Sequence, residues 1–213
     1  MKFDAIIFDF DGVILDSVGI KTFAFGELVR VHGAEAVAKM QAYHEAKGGI
    51  SRFVKFEWFY REVLGREIDA SESQVLGERF RQLAFSGVMA APFITGAEYC
   101  LEQHANLCPL FVASGTPQSE LDQILTGRSL NRFFKEAFGS PRTKSQIISD
   151  ILTRYGFVPE QVVFVGDAIS DYRAARETGL QFIGIAGESS VFPPGTTTLR
   201  DLTKLNDAIS AKS

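Results

Sequence analysis

The 213-residue sequence predicts a doubly wound α/β fold: a parallel-sheet, Rossmann-like core with a small all-helical domain inserted after the first strand. Three observations predict it. Short apolar runs recur along the chain, each ending in acidic, small or hydroxyl residues, as strands buried on both faces of a parallel sheet do. Amphipathic helical stretches separate the later runs, and strands alternating with helices imply a sheet covered on both faces. The stretch between the first two runs is far longer than one crossover helix needs, and it holds no convincing strand.

The first strand is read over Ala5–Phe10 and runs into Asp11 and Gly12. Residues 19 to 87 read as four helices, near Gly19–His32, Ala34–Ala46, Ser51–Leu64 and Ser71–Phe85, with Ser51 and Ser71 as N-caps and breaks at Gly48-Gly49 and Gly65. In the third helix Phe53, Phe56, Tyr60, Val63 and Leu64 recur at helical spacing, a stripe expected to serve packing. Linkers near Asp16–Val18 and Val88–Pro92 would join the two parts. The expected organisation is a core of residues 1–16 and 90–213 and a helical insert of residues 17–89. The later strands are read at Leu110–Ala113, weakly at Ala137–Gly139, at Val162–Val165 and weakly at Phe182–Ile185. Helices are read at Ser145–Tyr155 and Asp171–Thr178, the second stopped by Gly179.

Composition narrows the function classes. The formal charge of −4 argues against a dedicated nucleic-acid binder, which would show a basic stripe. It leaves room for a small anionic substrate held by local cations. Cys100 and Cys108 lack metal-ligand spacing and read as free thiols of a reducing compartment. His32, His44 and His104 show no metal spacing and are assigned no role. No apolar run approaches the length of a membrane span, and acids at Asp4, Asp9 and Asp11 interrupt any signal-peptide pattern. The expectation is a cytoplasmic protein with no nucleic-acid or membrane partner, a monomer or a homodimer.

Ligands of open α/β sheets gather at the carboxyl edge of the strands, so the residues that follow each strand are the candidates for chemistry. The first strand ends in Asp9-Phe10-Asp11-Gly12, the second in Ser114-Gly115-Thr116 and a later one in Gly166-Asp167-Ala168-Ile169-Ser170-Asp171, while Lys144 lies just ahead of a helix. This inventory of carboxylates, one hydroxyl with neighbouring N–H groups and one ammonium suits a phosphate and a hard, oxygen-ligated cation such as Mg²⁺. Asp9, Asp11, Asp167 and Asp171 could not all ionise close together without such a cation.

These four segments resemble the haloacid dehalogenase (HAD) superfamily in order and approximate spacing. Ile6-Ile7-Phe8-Asp9-Phe10-Asp11-Gly12 matches its first motif, and Phe111-Val112-Ala113-Ser114-Gly115 its second. Lys144 supplies the third, where Thr143-Lys144-Ser145 replaces a common Lys-Pro and Arg142 is an alternative cation. Gly166-Asp167 with Asp171 matches the fourth. The resemblance implies that the helical insert is a cap domain and that the protein is phosphoglycolate phosphatase-like. By the same likeness Asp9 is the nucleophile and Asp11 the general acid and base. Ser114, Gly115 and Lys144 bind the phosphoryl group, and Asp9, Asp11 (through its backbone carbonyl), Asp167 and Asp171 form the Mg²⁺ site. The Asp at position 11 separates phosphatases from the family's dehalogenases and phosphonate hydrolases, which lack it. Lys21 stands where many of the family's sugar-phosphate mutases carry His. The implied reaction is hydrolysis of a small phosphorylated metabolite through an aspartyl phosphate. The alternatives are a sugar-phosphate mutase and a non-enzymatic binding protein on the same fold. The loop Lys47–Arg52 resembles the cap loop that enters the site, which makes Lys21, Gly49, Ser51 and Arg52 candidates for substrate specificity. Arg52 or Lys55 would meet a second anionic or hydroxyl-rich group.

Overall fold

β1 (Ala5–Phe8) lies at the centre of the molecule with all four residues buried. Its side chains alternate as a strand requires. Ile6 and Phe8 enter one core with Leu101, Leu121 and Ile124, while Ala5 and Ile7 enter another with Ile147, Ile148 and Ile151. The computed structural model describes residues 3–187 and 191–211. Around β1 it arranges β2 (Leu110–Pro117), β3 (Glu136–Ser140), β4 (Val162–Gly166), β5 (Gln181–Ile185) and β6 (Thr198–Leu199) in the order β3-β2-β1-β4-β5-β6, every neighbouring pair parallel. The α/β class read from the sequence is the observed one.

Four helices follow β1: α1 (Val18–Val29), α2 (Ala34–Ala46), α3 (Arg52–Glu62) and α4 (Ala70–Ala90). They enclose an apolar core of their own, built on Phe25, Leu28, Met40, Phe56, Phe59 and Phe80. The aromatic stripe of α3 serves this packing. Phe56 and Tyr60 are buried, and Phe53, Val63 and Leu64 pack partly buried against them. Ser51 caps α3 as expected, but α4 starts earlier than Ser71, because Asp69 Oδ1 accepts the Glu72 N–H at 2.7 Å. It also runs on to Ala90 rather than stopping at Phe85, since Val88 is drawn into the core of the sheet domain. The two linkers lie side by side: the Asp16 N–H donates to Pro92 O, the Ile94 N–H to Ile14 O, and Leu15 faces Phe93 in an antiparallel bridge.

The remaining helices cover the sheet. α5 (Ala97–His104), α6 (Gln118–Gly127) and α9 (Leu205–Ala211) bury Leu101, Leu121, Ile124 and Ile209 on one face. α7 (Lys144–Tyr155) and α8 (Ile169–Thr178) bury Ile147, Ile151 and Ala174 on the other. No described helix is long and apolar enough to cross a membrane.

Register positions the site. Phe8 pairs with Val112 on one side and Val165 on the other, so the last residue of β1 is flanked by both neighbouring strands. The chain places β2 and β3 on one side of β1 and then returns to place β4 and β5 on the other, and such a switch point is where an open sheet leaves a crevice. β2 continues through Ser114, Gly115 and Thr116 to Pro117, with a register irregularity after Ala113 that displaces these residues from simple pairing with β3.

Candidate active site

Asp9 stands directly after β1, where its own N–H donates to Val165 O at 2.8 Å. Its carboxylate is 2% exposed; Oδ1 accepts the Phe10 N–H at 2.7 Å and Oδ2 lies 2.8 Å from Lys144 Nζ. Lys144 is the first residue of α7, and a capping box fixes it there. Thr143 Oγ1 accepts the Gln146 N–H and the Gln146 side chain accepts the Thr143 N–H, a Thr-x-x-Gln pattern plain in the sequence. Lys144 also donates to Asp171 Oδ1, and Asp171 Oδ2 accepts the Ala168 N–H at 3.0 Å, closing the start of α8. Arg142 points elsewhere, pairing with Asp150 at 3.0 Å on the surface.

Carboxylate oxygens of Asp9, Asp167 and Asp171 lie within 4.8 Å of one another. Burial raises the Asp9 carboxyl to about 7 against the Lys144 ammonium, which lowers it, and Asp171 adds to the rise. Asp167 is raised well above the carboxylate range by burial and by the charges of Asp9 and Asp171. Lys144 is raised as well: burial disfavours its charge, but Asp171 and Asp9 more than offset burial. A buried all-oxygen donor set whose members repel one another fits a hard divalent cation such as Mg²⁺.

Asp11 is held differently. Its Oδ1 accepts from Ser17 Oγ at 2.6 Å, and its Oδ2 accepts from Lys21 Nζ at 2.5 Å and from Thr116 Oγ1 at 2.9 Å. Burial raises its pKa, but Lys21, Ser17 and Thr116 outweigh burial and hold it at about 2. Its side chain is thus held between Ser17 and Lys21 of the insert and Thr116 of β2. Ser17 occupies the N-cap position of α1 but makes no cap bond, its hydroxyl being taken by Asp11. Ser114 is buried behind Gly115, its Oγ accepting the Thr116 N–H at 3.1 Å.

The insert closes on these groups. Ser170 Oγ donates to Gly48 O at 2.7 Å, and Gly49, at φ +73°, lies against Ser170 Oγ and Lys144 Nζ. Arg52 donates to Glu120 of α6 at 2.8 Å with both side chains buried, and its guanidinium stacks on Phe80. Ser51 is occupied as the cap of α3. Together the insert and the sheet edge enclose a cavity of about 150 Å³, lined among others by Asp9, Asp11, Lys21, Lys55, Gly115 and Asp167.

Of the residues singled out from the sequence, Asp9, Asp11, Lys21, Gly49, Arg52, Gly115 and Asp167 line this cavity or face it. Ser114, Lys144 and Ser51 line an adjoining cavity on the far side of Gly49. From the sequence no role was assigned to Thr116, Ser17, His44 or Glu120. Thr116 had a signal, lying two residues beyond Ser114 on the same strand; Glu120 had none, since its partner is in the insert.

A sequence profile of the haloacid dehalogenase-like hydrolases matches residues 6–185. A phosphoglycolate phosphatase of Vibrio cholerae is 24% identical over 189 residues, covering 84% of this chain and 83% of its own length. Among solved structures, the fold is similar to a β-phosphoglucomutase from Clostridium difficile (TM-score 0.80, 17% identity, 99% of this chain and 96% of that one). It is likewise similar to a predicted phosphatase from Clostridium acetobutylicum (TM-score 0.78, 19% identity, 99% and 100%).

Proposed function

The chain belongs to the haloacid dehalogenase-like hydrolase family, and from that premise we propose that it is a Mg²⁺-dependent phosphatase of small-metabolite phosphate monoesters, with phosphoglycolate-like esters foremost. The observation that carries the reading is Asp9 at the end of the central strand, with Lys144 2.8 Å away and the Asp167 and Asp171 carboxylates beside it. The relatives named phosphoglycolate phosphatase support the substrate class. Residues 17–89 act as a cap that excludes water and reads the leaving group.

In the proposed mechanism an Asp9 carboxylate oxygen attacks phosphorus, the bond from phosphorus to the ester oxygen breaks, and Asp11 protonates the departing alkoxide. A water then attacks the aspartyl phosphate, its proton passes to Asp11, and the phosphorus–Asp9 bond breaks to release inorganic phosphate. Ser114 Oγ, the Gly115 N–H and Lys144 hold the transferring phosphoryl oxygens. The side chains of Asp9 and Asp167 with the Asp11 backbone carbonyl would hold Mg²⁺, and Asp171 would orient the group. Bound there, Mg²⁺ supplies charge neutralisation for the carboxylates and the phosphoryl oxygens. Asp11 ionised against Lys21 is in the state that activates water, so its acid role requires it to take up a proton from solvent as the ester enters.

The test is phosphate release from 2-phosphoglycolate and from an aryl phosphate, with Mg²⁺, with excess EDTA, and by Asp9→Asn. Turnover by the wild type with metal alone supports the reading. Equal turnover in EDTA or by the variant overturns it, and isomerised sugar phosphate without net phosphate release would make the protein a mutase.

A further inference from the structure

The cavity over Asp9 has a second polar end. Lys55 of α3 is 2% exposed and lines the cavity that Asp9, Asp11 and Gly115 also line. Its ammonium stands 2.6 Å from His44 Nδ1 and 5.3 Å from the centre of the Phe25 ring. The other two cations that line the cavity are both paired, Lys21 with Asp11 and Arg52 with Glu120. Among the described residues no carboxylate pairs with Lys55. Burying an ammonium without a counter-charge is costly, so a site that keeps one is built for a charge that arrives from outside.

The surroundings of Lys55 are arranged for that. Burial and the Lys55 charge depress the His44 imidazole to about 3, so the ring is neutral and its Nδ1 is the acceptor for Lys55. His44 Nε2 then carries the ring proton and is buried. An ammonium has three donors, and His44 takes one. Burial and Lys21 bring Lys55 itself down to about 7, which reflects the shortage of negative charge around it.

We infer that Lys55, oriented by His44 Nδ1, binds a carboxylate carried on the leaving part of the substrate, so that the ester hydrolysed is a small phosphate monoester with a second, singly charged group. The choice of a carboxylate follows from the count of charges. One ammonium without a carboxylate partner matches one negative charge, whereas a second phosphate would bring up to two. The walls of the cavity include Val18, Phe25 and Phe80, which suit a short carbon chain. The inference rests on the phosphatase reading above and adds to it the residues that recognise the leaving group.

The experiment compares 2-phosphoglycolate with 2-hydroxyethyl phosphate, which replaces the carboxylate by a neutral hydroxymethyl group, for the wild type and for Lys55→Met in Mg²⁺. A charge-assisted contact of this kind predicts that the wild type favours the carboxylate ester in kcat/KM, chiefly through KM. It also predicts that Lys55→Met reduces that preference by about 10- to 100-fold. His44→Gln gives a second reading of the same preference should Lys55→Met fail to fold by circular dichroism. Glycolate should inhibit the wild type competitively, and ethylene glycol should not. A wild type that hydrolyses both esters equally, or a variant that keeps the full preference, overturns the inference and leaves the phosphatase reading standing. A wild type that releases phosphate from neither ester overturns both.

Discussion

Gly49 gives the sharpest test of how the insert meets the core. Its φ of +73° is a left-handed conformation, and a Cβ there would lie 2.5 Å from Ser170 Oγ and 2.8 Å from Lys144 Nζ. Gly49→Ala therefore costs about 1–2 kcal/mol in backbone strain. Lys144 cannot give way, because Asp9 and Asp171 hold its ammonium. The Ser170 hydroxyl can swing aside, but only by giving up its 2.7 Å bond to Gly48 O, a loss of about 0.5–1.5 kcal/mol. The closed arrangement is thus destabilised by about 2–3 kcal/mol, a factor of about 30–150 in its ratio to the open one. The insert relieves the clash by lifting, so kcat/KM should fall by that factor while the thermal midpoint barely moves. Steady-state kinetics alongside a circular-dichroism melt checks both. Activity within about three-fold of wild type, or a melting temperature that falls in step with activity, would refute the reasoning.

Other expectations follow from the same geometry. Glu120→Ala leaves the Arg52 guanidinium buried without its partner, a loss of about 3–5 kcal/mol when one half of a buried pair is removed; a double-mutant cycle with Arg52→Met should show strong coupling in kcat/KM, and additive effects would disprove the link. Mg²⁺ at about 100 times its dissociation constant should stabilise the fold by about 2.7 kcal/mol, read as a rise of several degrees in melting temperature that Asp167→Asn abolishes. Burial pushes the Cys100 thiol up to about 12 and Cys108 up to about 11. Both therefore stay protonated at pH 8 and should resist iodoacetamide until the protein is unfolded; rapid alkylation of native protein would contradict this.

The fold was legible wherever one local rule decided the outcome. The buried runs at Ala5–Phe8 and Val162–Gly166 are apolar on both faces, as a central parallel strand must be. α2 was read to the residue because Gly33 and the glycines after Lys47 punctuate it. β6 spans two residues, Thr198–Leu199, too few to show a period. At α5, α6 and α9 no helix was read from the sequence. In the site, Asp9, Asp167 and Lys144 were readable because each ends a strand or opens a helix. Strand-end logic cannot reach Lys55, His44 or Glu120. They sit within helices and gain their meaning from residues on distant elements: Asp9 and Asp11 across the cavity, Arg52 across the insert boundary. Arg52 and Lys55 looked equivalent in sequence, three residues apart on one helix. Only Glu120 distinguishes them, by pairing with Arg52 and leaving Lys55 to the cavity.

The paired linkers bear on how the chain assembles. β1 and β2 are neighbours in the sheet, yet the whole insert separates them in sequence. Leu15 and Phe93 face each other across the two linkers, so a four-helix insert that forms first delivers the chain back beside its point of departure. The β1–β2 junction then closes over roughly 25 residues instead of about 100, sparing about 1 kcal/mol of loop entropy on the logarithmic scaling of closure. The helices, whose contacts are local, are the part that forms quickly. The insert, proposed to gate the substrate, thus doubles as the splint on which the central sheet is wound.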